Sequence, residues 1–252
     1  VYVRSLPVAQ FSTGLPCNGQ EVLFYNNSSS DSTSALLNAT WNFGDPASGS
    51  NSSSLFNPVH IFSGLSSYDV ALIVETNFGC KDTVINTVNV RPSSTVNFTY
   101  SPTCYGDLME FFNPGSPIDS YYLWNFGDNQ FNQLQEPAHF YAFPGSYNVT
   151  LTVTAASGCV TSASRLVTVS PIPQASFVST PACLGAPYQF INQSNITTGS
   201  ITSQEWKIAG QQTFSTDVNP IYTFSDTGSY SITLQVTSDI GCSDAYTGDR
   251  KS

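Results

Sequence analysis

Short runs in which apolar and polar residues alternate recur along the chain. The clearest run covers residues 230–236, where every second residue is apolar and the residues between them are polar. Comparable runs begin at Tyr68 and Tyr147. A period of two residues is the side-chain period of a half-buried β-strand. Since no segment has a convincing helical period, we predict an all-β fold.

The chain repeats itself about every 80 residues. The sequence Trp-Asn-Phe-Gly-Asp at 41–45 recurs at 124–128, and a diverged copy, Trp-Lys-Ile, stands at 206–208. We therefore predict three domains, with boundaries at 8–92, 93–172 and 173–252. Residues 1–7 are interpreted as the final strand of a preceding repeat or a linker. The third repeat is expected to be degenerate, with an incomplete last strand, because it lacks the Val-x-Val that ends the other two.

The recurring residues suit a two-layer sandwich. Each repeat has a Cys-x-Gly turn after its first strand, a Trp on a central strand, a Tyr that opens a late strand and a Gly-Cys turn after that strand. These features are typical of an immunoglobulin-like fold, in which the Trp fills the core and the Tyr hydroxyl bonds backbone. We assign these structural roles to six residues, Trp41, Trp124, Trp206, Tyr68, Tyr147 and Tyr230.

Composition and charge narrow the range of functions. The net charge is -10 with seven Lys and Arg residues, so a nucleic-acid partner is not expected. The longest apolar stretches are far too short for a membrane span. Six cysteines without a Cys-x-x-Cys pair favour disulfides in an oxidising, extracellular or cell-surface compartment. No catalytic motif is recognisable, and we predict that the chain is not an enzyme.

Three successive motifs resemble the PKD (polycystic kidney disease) domain signature. They are Trp-Asn-Phe-Gly-Asp, Asn/Glu-Pro-x-His-x-Phe/Tyr and Gly-Ser-Tyr-x-Val-x-Leu-x-Val. The first two repeats match these motifs well, and the third repeat has diverged from them. The resemblance implies three antiparallel immunoglobulin-like sandwiches arranged end to end. The cysteine turns are similar to those of PKD-type repeats in surface proteins of gliding and biofilm-forming Bacteroidota. The resemblance to these surface proteins also implies O-glycosylation, for which Ser32 and Thr83 are weak candidates.

The cysteines allow two pairing schemes. Internal bridges would join Cys17 to Cys80, Cys104 to Cys159 and Cys183 to Cys242. In an immunoglobulin-like sandwich, however, the first turn and the late hairpin lie at opposite ends, about 20 Å apart, whereas bridged Cα atoms lie within about 7 Å. A stack of domains permits crossing pairs instead, Cys17 with Cys159 and Cys104 with Cys242. We slightly prefer the crossing pairs, and both schemes stay open at this point.

Several residues are candidates for binding. Asp45 and Asp128 are weak calcium candidates, so structural calcium is the one cofactor considered; the preferred interpretation is that each Asp caps its own turn. His60 and His139 occupy equivalent positions where the third repeat has Tyr222, which indicates a structural role. Tyr121, Tyr122 and Phe131 could stack on sugars, but packing is preferred.

The sequence favours a non-catalytic extracellular array, a stalk or filament segment of a bacterial surface adhesin with gliding or adhesive function. Its expected partners are neighbouring repeats or copies of the same chain, with a glycan or another surface ligand as a further candidate. The alternative is a set of carbohydrate-binding accessory modules of a secreted hydrolase. Residues 1–4 have no signal-peptide features, which we interpret as a mature or excised segment. A sharper hypothesis is that this segment completes the last domain of another copy.

Overall fold

The protein is described by a computed structural model that covers residues 3–115, 120–180, 183–209 and 212–251, with side chains described as far as Gly248. Within this part of the chain the only helical element is a single 3-10 turn, Pro46–Ser48. Three two-sheet units follow one another along the sequence. The prediction of an all-β fold with three tandem sandwiches is confirmed.

The first repeat has a three-stranded sheet, ordered β1-β2-β5, and a four-stranded sheet, ordered β4-β3-β6-β7. All of the pairs between its strands are antiparallel. The described strands are β1 (Phe11–Thr13), β2 (Val22–Asn26), β3 (Leu36–Asn42), β4 (Ser52–Ser53), β5 (Val59–His60), β6 (Ser67–Thr76) and β7 (Lys81–Asn89).

The second repeat follows the same plan, with sheets ordered β13-β10-β8 and β12-β11-β14-β15-β9. The short strand β9 is an addition, and it pairs in parallel with the end of β15. The described strands are β8 (Thr99–Tyr100), β9 (Thr103–Cys104), β10 (Met109–Phe112), β11 (Tyr121–Asn125), β12 (Phe131–Asn132), β13 (Ala138–His139), β14 (Gly145–Thr154) and β15 (Val160–Ser170).

The third repeat has sheets ordered β16-β17-β20 and β19-β18-β21-β22. Its described strands are β16 (Phe177–Ser179), β17 (Tyr188–Asn192), β18 (Ile201–Ile208), β19 (Thr213–Ser215), β20 (Ile221–Tyr222), β21 (Ser229–Ser238) and β22 (Ser243–Lys251).

Each repeat has its own core between its two sheets. The buried apolar residues form three separate clusters, one in each repeat. Trp41, Trp124 and Trp206 are fully buried at matching places, and each indole Nε1 donates to a backbone carbonyl 2.9–3.0 Å away. Along the long strands, exposed and buried residues alternate, which explains the two-residue period of the sequence.

The late tyrosines form the expected corners. The hydroxyls of Tyr68, Tyr147 and Tyr230 each donate to the carbonyl four residues earlier, at 3.2, 2.8 and 2.9 Å. The ring lies against the core while its hydroxyl satisfies a loop carbonyl, so each tyrosine fixes the turn that leads into the long strand.

The last strand of the third repeat differs from the expectation that it is incomplete. Strand β22 pairs with β21 in nine consecutive register positions, from Ser243 to Lys251. Strand pairing uses backbone groups and does not require the Val-x-Val side chains. Earlier in this strand, Tyr246 packs edge-on against Phe177, with ring centroids 5.4 Å apart.

The interpretation of residues 1–7 as the final strand of a preceding repeat or a linker stays a prediction. Residues 3–7 form no strand, and Val1 and Tyr2 lie outside the described residues. Because β22 already occupies the last-strand position of the third repeat, that position offers no gap for a donated strand. The hypothesis that residues 1–4 of one copy complete the last domain of another copy is therefore not supported in that form.

Candidate functional site

The two disulfides of the structure connect neighbouring repeats. Cys17 bonds Cys159 with their Cα atoms 5.8 Å apart, and Cys104 bonds Cys242 with their Cα atoms 5.7 Å apart. These are the two crossing pairs considered from the sequence, and they exclude the internal pairs for these four cysteines. Cys80 and Cys183 carry free thiols. Each bond joins the first turn of one repeat to the late hairpin of the next.

Local hydrogen bonding places the first-turn cysteine at the outgoing end of its repeat. The backbone of Cys17 forms a parallel bridge with Arg91, just beyond β7. In the second repeat, β9 pairs Cys104 with Ser170 at the end of β15. The first-turn cysteine therefore lies beside the point where the chain leaves for the next repeat.

The late hairpin is held at the incoming end of its repeat. Two residues after each hairpin cysteine, a side chain binds the backbone of the segment that enters the repeat. Asp82 accepts from Ala9 N at 2.7 Å, Thr161 donates to Ser94 O at 2.9 Å, and Asp244 accepts from Ala175 N at 2.8 Å. Outgoing and incoming ends meet at a junction, and this arrangement brings the two cysteines together.

Polar contacts reinforce the first junction. Gln20 Nε2 donates to Val160 O at 2.8 Å, and Arg91 Nη1 donates to Ser157 O at 2.9 Å. The hydroxyl of Ser157 in turn donates to Pro92 O at 2.6 Å. These contacts fix the orientation of the second repeat relative to the first. The sequence predicted none of these contacts. The one available signal was the position of Arg91, which directly follows the Val-x-Val at residues 88–90.

The weak calcium candidates are bound to histidines instead. Asp45 is buried, with one carboxylate oxygen 3.2 Å from His60 Nε2, and it also accepts from the backbone N and hydroxyl of Ser63. Burial opposes ionisation of Asp45, but these hydrogen bonds outweigh it and the pKa of the carboxyl is lowered. No group of three His, Cys, Asp or Glu side chains in the described chain is placed to hold a metal ion.

The second repeat has the same contact between an Asp and a His but lacks the other hydrogen bonds that Asp45 forms in the first repeat. Asp128 lies 2.7 Å from His139 Nε2, and its other oxygen accepts from Gln130 N at 3.0 Å. The turn-capping interpretation therefore describes Asp128, whereas Asp45 binds Ser63 in another loop. His60 and His139 are buried and stack on Phe43 and Phe126, consistent with a structural role.

Some exposed aromatic side chains do not serve packing. Tyr121 is 79% exposed and Phe131 is 59% exposed, on the adjacent strands β11 and β12. Tyr122, by contrast, packs against the core of the second repeat. The packing interpretation thus holds for Tyr122 and is wrong for the other two. The glycosylation candidates Ser32 and Thr83 are both exposed.

Comparison with known proteins identifies the repeats. The family model of the PKD domain matches residues 4–91, 113–170 and 168–251. The chain belongs to the PKD domain family. PKD and immunoglobulin-like domains are generally non-catalytic modules of surface and secreted proteins. Their usual extracellular location agrees with the disulfides, and no helix in the described residues is long and apolar enough to cross a membrane.

Solved structures of PKD and other modules are similar to parts of this PKD array. The PKD1 domain of Vibrio anguillarum Epp has 25% identity, matching 36% of this chain and all of its own, with a TM-score of 0.32. The PKD1 domain of the Vibrio cholerae metalloprotease PrtV has 35% identity over 32% of this chain and 95% of its own, with a TM-score of 0.29. Three N-terminal domains of the bacteriophage RB49 outer capsid protein Hoc have 13% identity over 96% of both chains, with a TM-score of 0.45.

Proposed function

We propose that this PKD array is a tension-bearing stalk or filament segment of a bacterial cell-surface adhesin, of the kind found in gliding and biofilm-forming Bacteroidota. The crossing disulfides are the observation that carries the proposal. A disulfide inside one domain stabilises that domain, whereas a bond across a junction resists separation of two domains. Bonds at both junctions suit a chain that must transmit force between its ends.

The overlap of the two bonds sharpens this argument. Cys17–Cys159 and Cys104–Cys242 enclose overlapping segments, so a pull on the ends passes from Cys17 to Cys159, back to Cys104 and across to Cys242. Only about 80 residues can then extend, roughly 280 Å at about 3.4 Å per residue. The same polypeptide without disulfides would extend to about 850 Å. The bonds therefore keep most of the array short even if its domains unfold.

Single-molecule force spectroscopy on the chain, pulled from its two ends, tests the proposal. The native chain should stop extending near the shorter limit. Cys17→Ser should lengthen it to about 380 Å, because only the Cys104–Cys242 bond remains, while Cys80→Ser should leave it unchanged. A native chain that extends to the full length under non-reducing conditions would remove the basis of the stalk proposal.

A second candidate function is glycan binding by the second repeat. The exposed Tyr121 and Phe131 on adjacent strands favour it, since aromatic faces are common platforms for sugars. Reproducible binding on a glycan array that is abolished by Tyr121→Ala, but kept by the matched variant Leu166→Ala on the same sheet, would favour an accessory carbohydrate-binding module. Absence of binding to any glycan would rule this candidate out.

A further inference from the structure

The two free cysteines occupy the same turns as the bonded ones. In the first turns, Gln20, Asp107 and Ala186 each donate their backbone N to the carbonyl of the cysteine three residues earlier. In the late hairpins, Cys80, Cys159 and Cys242 each accept from the residue four positions earlier. The free Cys183 and Cys80 thus have the backbone setting in which their equivalents form a junction bond.

The two free thiols are of complementary kinds. Cys183 is a first-turn cysteine, like Cys17 and Cys104, and each of those bonds the hairpin cysteine of the following repeat. Cys80 is a hairpin cysteine, like Cys159 and Cys242, and each of those bonds the first-turn cysteine of the preceding repeat. Cys183 and Cys80 are therefore complementary halves of one junction.

The hairpin of Cys80 already carries part of a junction. Arg91 of the first repeat reaches the hairpin of the second repeat through Ser157. At the hairpin of the first repeat, the guanidinium of Arg4 lies 3.3 Å from the centroid of the Phe78 ring. Phe78 and Ser157 hold equivalent places, two residues before the hairpin cysteine. Arg4 thus lies where an outgoing arginine of a preceding repeat would lie.

The turn of Cys183 borders exposed apolar surface. Beside Cys183 an open apolar cleft remains, lined by Leu184, Tyr188, Phe224, Tyr230 and Ile232 among others. Docking of another repeat at this end would cover apolar surface.

We propose that Cys183 of one copy bonds Cys80 of the next copy, so that the chain assembles head to tail through a junction like its two internal ones. This inference rests on the proposed stalk or filament function and names its partner as a second copy of this chain. The reaction needs a disulfide oxidant such as glutathione disulfide. The Cys183 thiolate attacks it and releases one glutathione thiolate; the Cys80 thiolate then attacks the mixed disulfide and releases the second.

Two single-cysteine variants test the pairing. Cys80→Ser keeps Cys183, and Cys183→Ser keeps Cys80, while both internal disulfides stay intact. In a glutathione redox buffer, a mixture of the two variants should form covalent dimers about tenfold faster than either variant alone, because docking raises the effective concentration of the matched thiols. Peptide mapping of the dimer should give a Cys80–Cys183 fragment.

A control sets the rate for undirected encounters. The triple variant Cys80→Ser, Cys183→Ser, Ser50→Cys carries one thiol on an exposed loop, and it should dimerise at the slow rate of the single variants. Symmetric dimers that form as fast as mixed ones, or mixed dimers without the Cys80–Cys183 fragment, would overturn the head-to-tail junction. The stalk function would survive that result if the monomer still shows the short extension limit, and would fail only if that limit is absent.

Discussion

At the residue scale, a few side chains fix local geometry in ways that a single substitution can expose. Gly44 has a φ of 66°, and a Cβ added there would lie 2.6 Å from the carbonyl oxygen of Asp69. Gly49, in the same repeat, has a φ of 73° with open space around it. The two glycines share the left-handed backbone and differ in the close contact.

Gly44→Ala should therefore cost more stability than Gly49→Ala. We expect about 1 kcal/mol for Gly49→Ala from backbone strain alone, and at least about 3 kcal/mol for Gly44→Ala, where the backbone must also move. Hydrogen exchange of the first-repeat strands within the whole chain, measured at a series of denaturant concentrations, gives both values. Equal losses for the two variants would show that the contact with Asp69 has no energetic weight.

The buried Asp45 carboxylate should make the first repeat sensitive to acid. Because folding lowers its pKa, ionised Asp45 stabilises the native state at neutral pH, and this stabilisation is lost as the pH falls through the pKa of the folded state. Asp45→Asn should lower the unfolding free energy by about 2 kcal/mol at neutral pH.

The gap between Asp45→Asn and the native chain should narrow as the pH falls below the ordinary pKa of an aspartate and through the lowered pKa of folded Asp45, where the native carboxyl becomes protonated as well. Chemical denaturation at a series of pH values measures the gap. Asp107→Asn, at an exposed position, is the control and should show little effect at any pH. A gap that stays constant with pH would mean that the charge of Asp45 does not stabilise the fold.

At the element scale, each pair of sheets encloses its own core, so damage should stay local. Leu151 on β14 is fully buried, whereas Leu166 on the neighbouring β15 is 66% exposed. Leu151→Ala should destabilise the second repeat by about 3 kcal/mol through the lost contacts and the cavity. Hydrogen exchange should rise in residues of the second repeat and stay unchanged in the others.

Leu166→Ala serves as the matched control and should leave exchange nearly unchanged. An increase in exchange across all three repeats after Leu151→Ala would contradict the description of three separate cores.

Elements that depend on local pattern could be predicted from the sequence, and those that depend on where loops meet could not. The Trp and Tyr positions follow from motifs that recur with fixed spacing. The contact of Asp45 with Ser63 joins two loops 18 residues apart, and the second repeat has Ala142 where the first has Ser63, so no repeated signal marked it. The sequence did not predict the full length of strand β22, because strand pairing requires only backbone groups and tolerates polar side chains.

At the scale of the whole molecule, the mechanical behaviour of the array depends on how its repeats are joined. The sequence supplied the geometric objection to internal bridges but left both schemes open, because the choice depends on which ends meet at a junction. The structure shows the reason for the crossing pairs: the first turn lies beside the outgoing strand, and the late hairpin lies beside the incoming segment.

Non-reducing peptide mapping of the alkylated native chain tests this joining most directly. We predict one fragment that links Cys17 to Cys159, a second that links Cys104 to Cys242, and alkyl groups on Cys80 and Cys183 of the monomer. A fragment that links Cys17 to Cys80, or Cys183 to Cys242, would contradict the account.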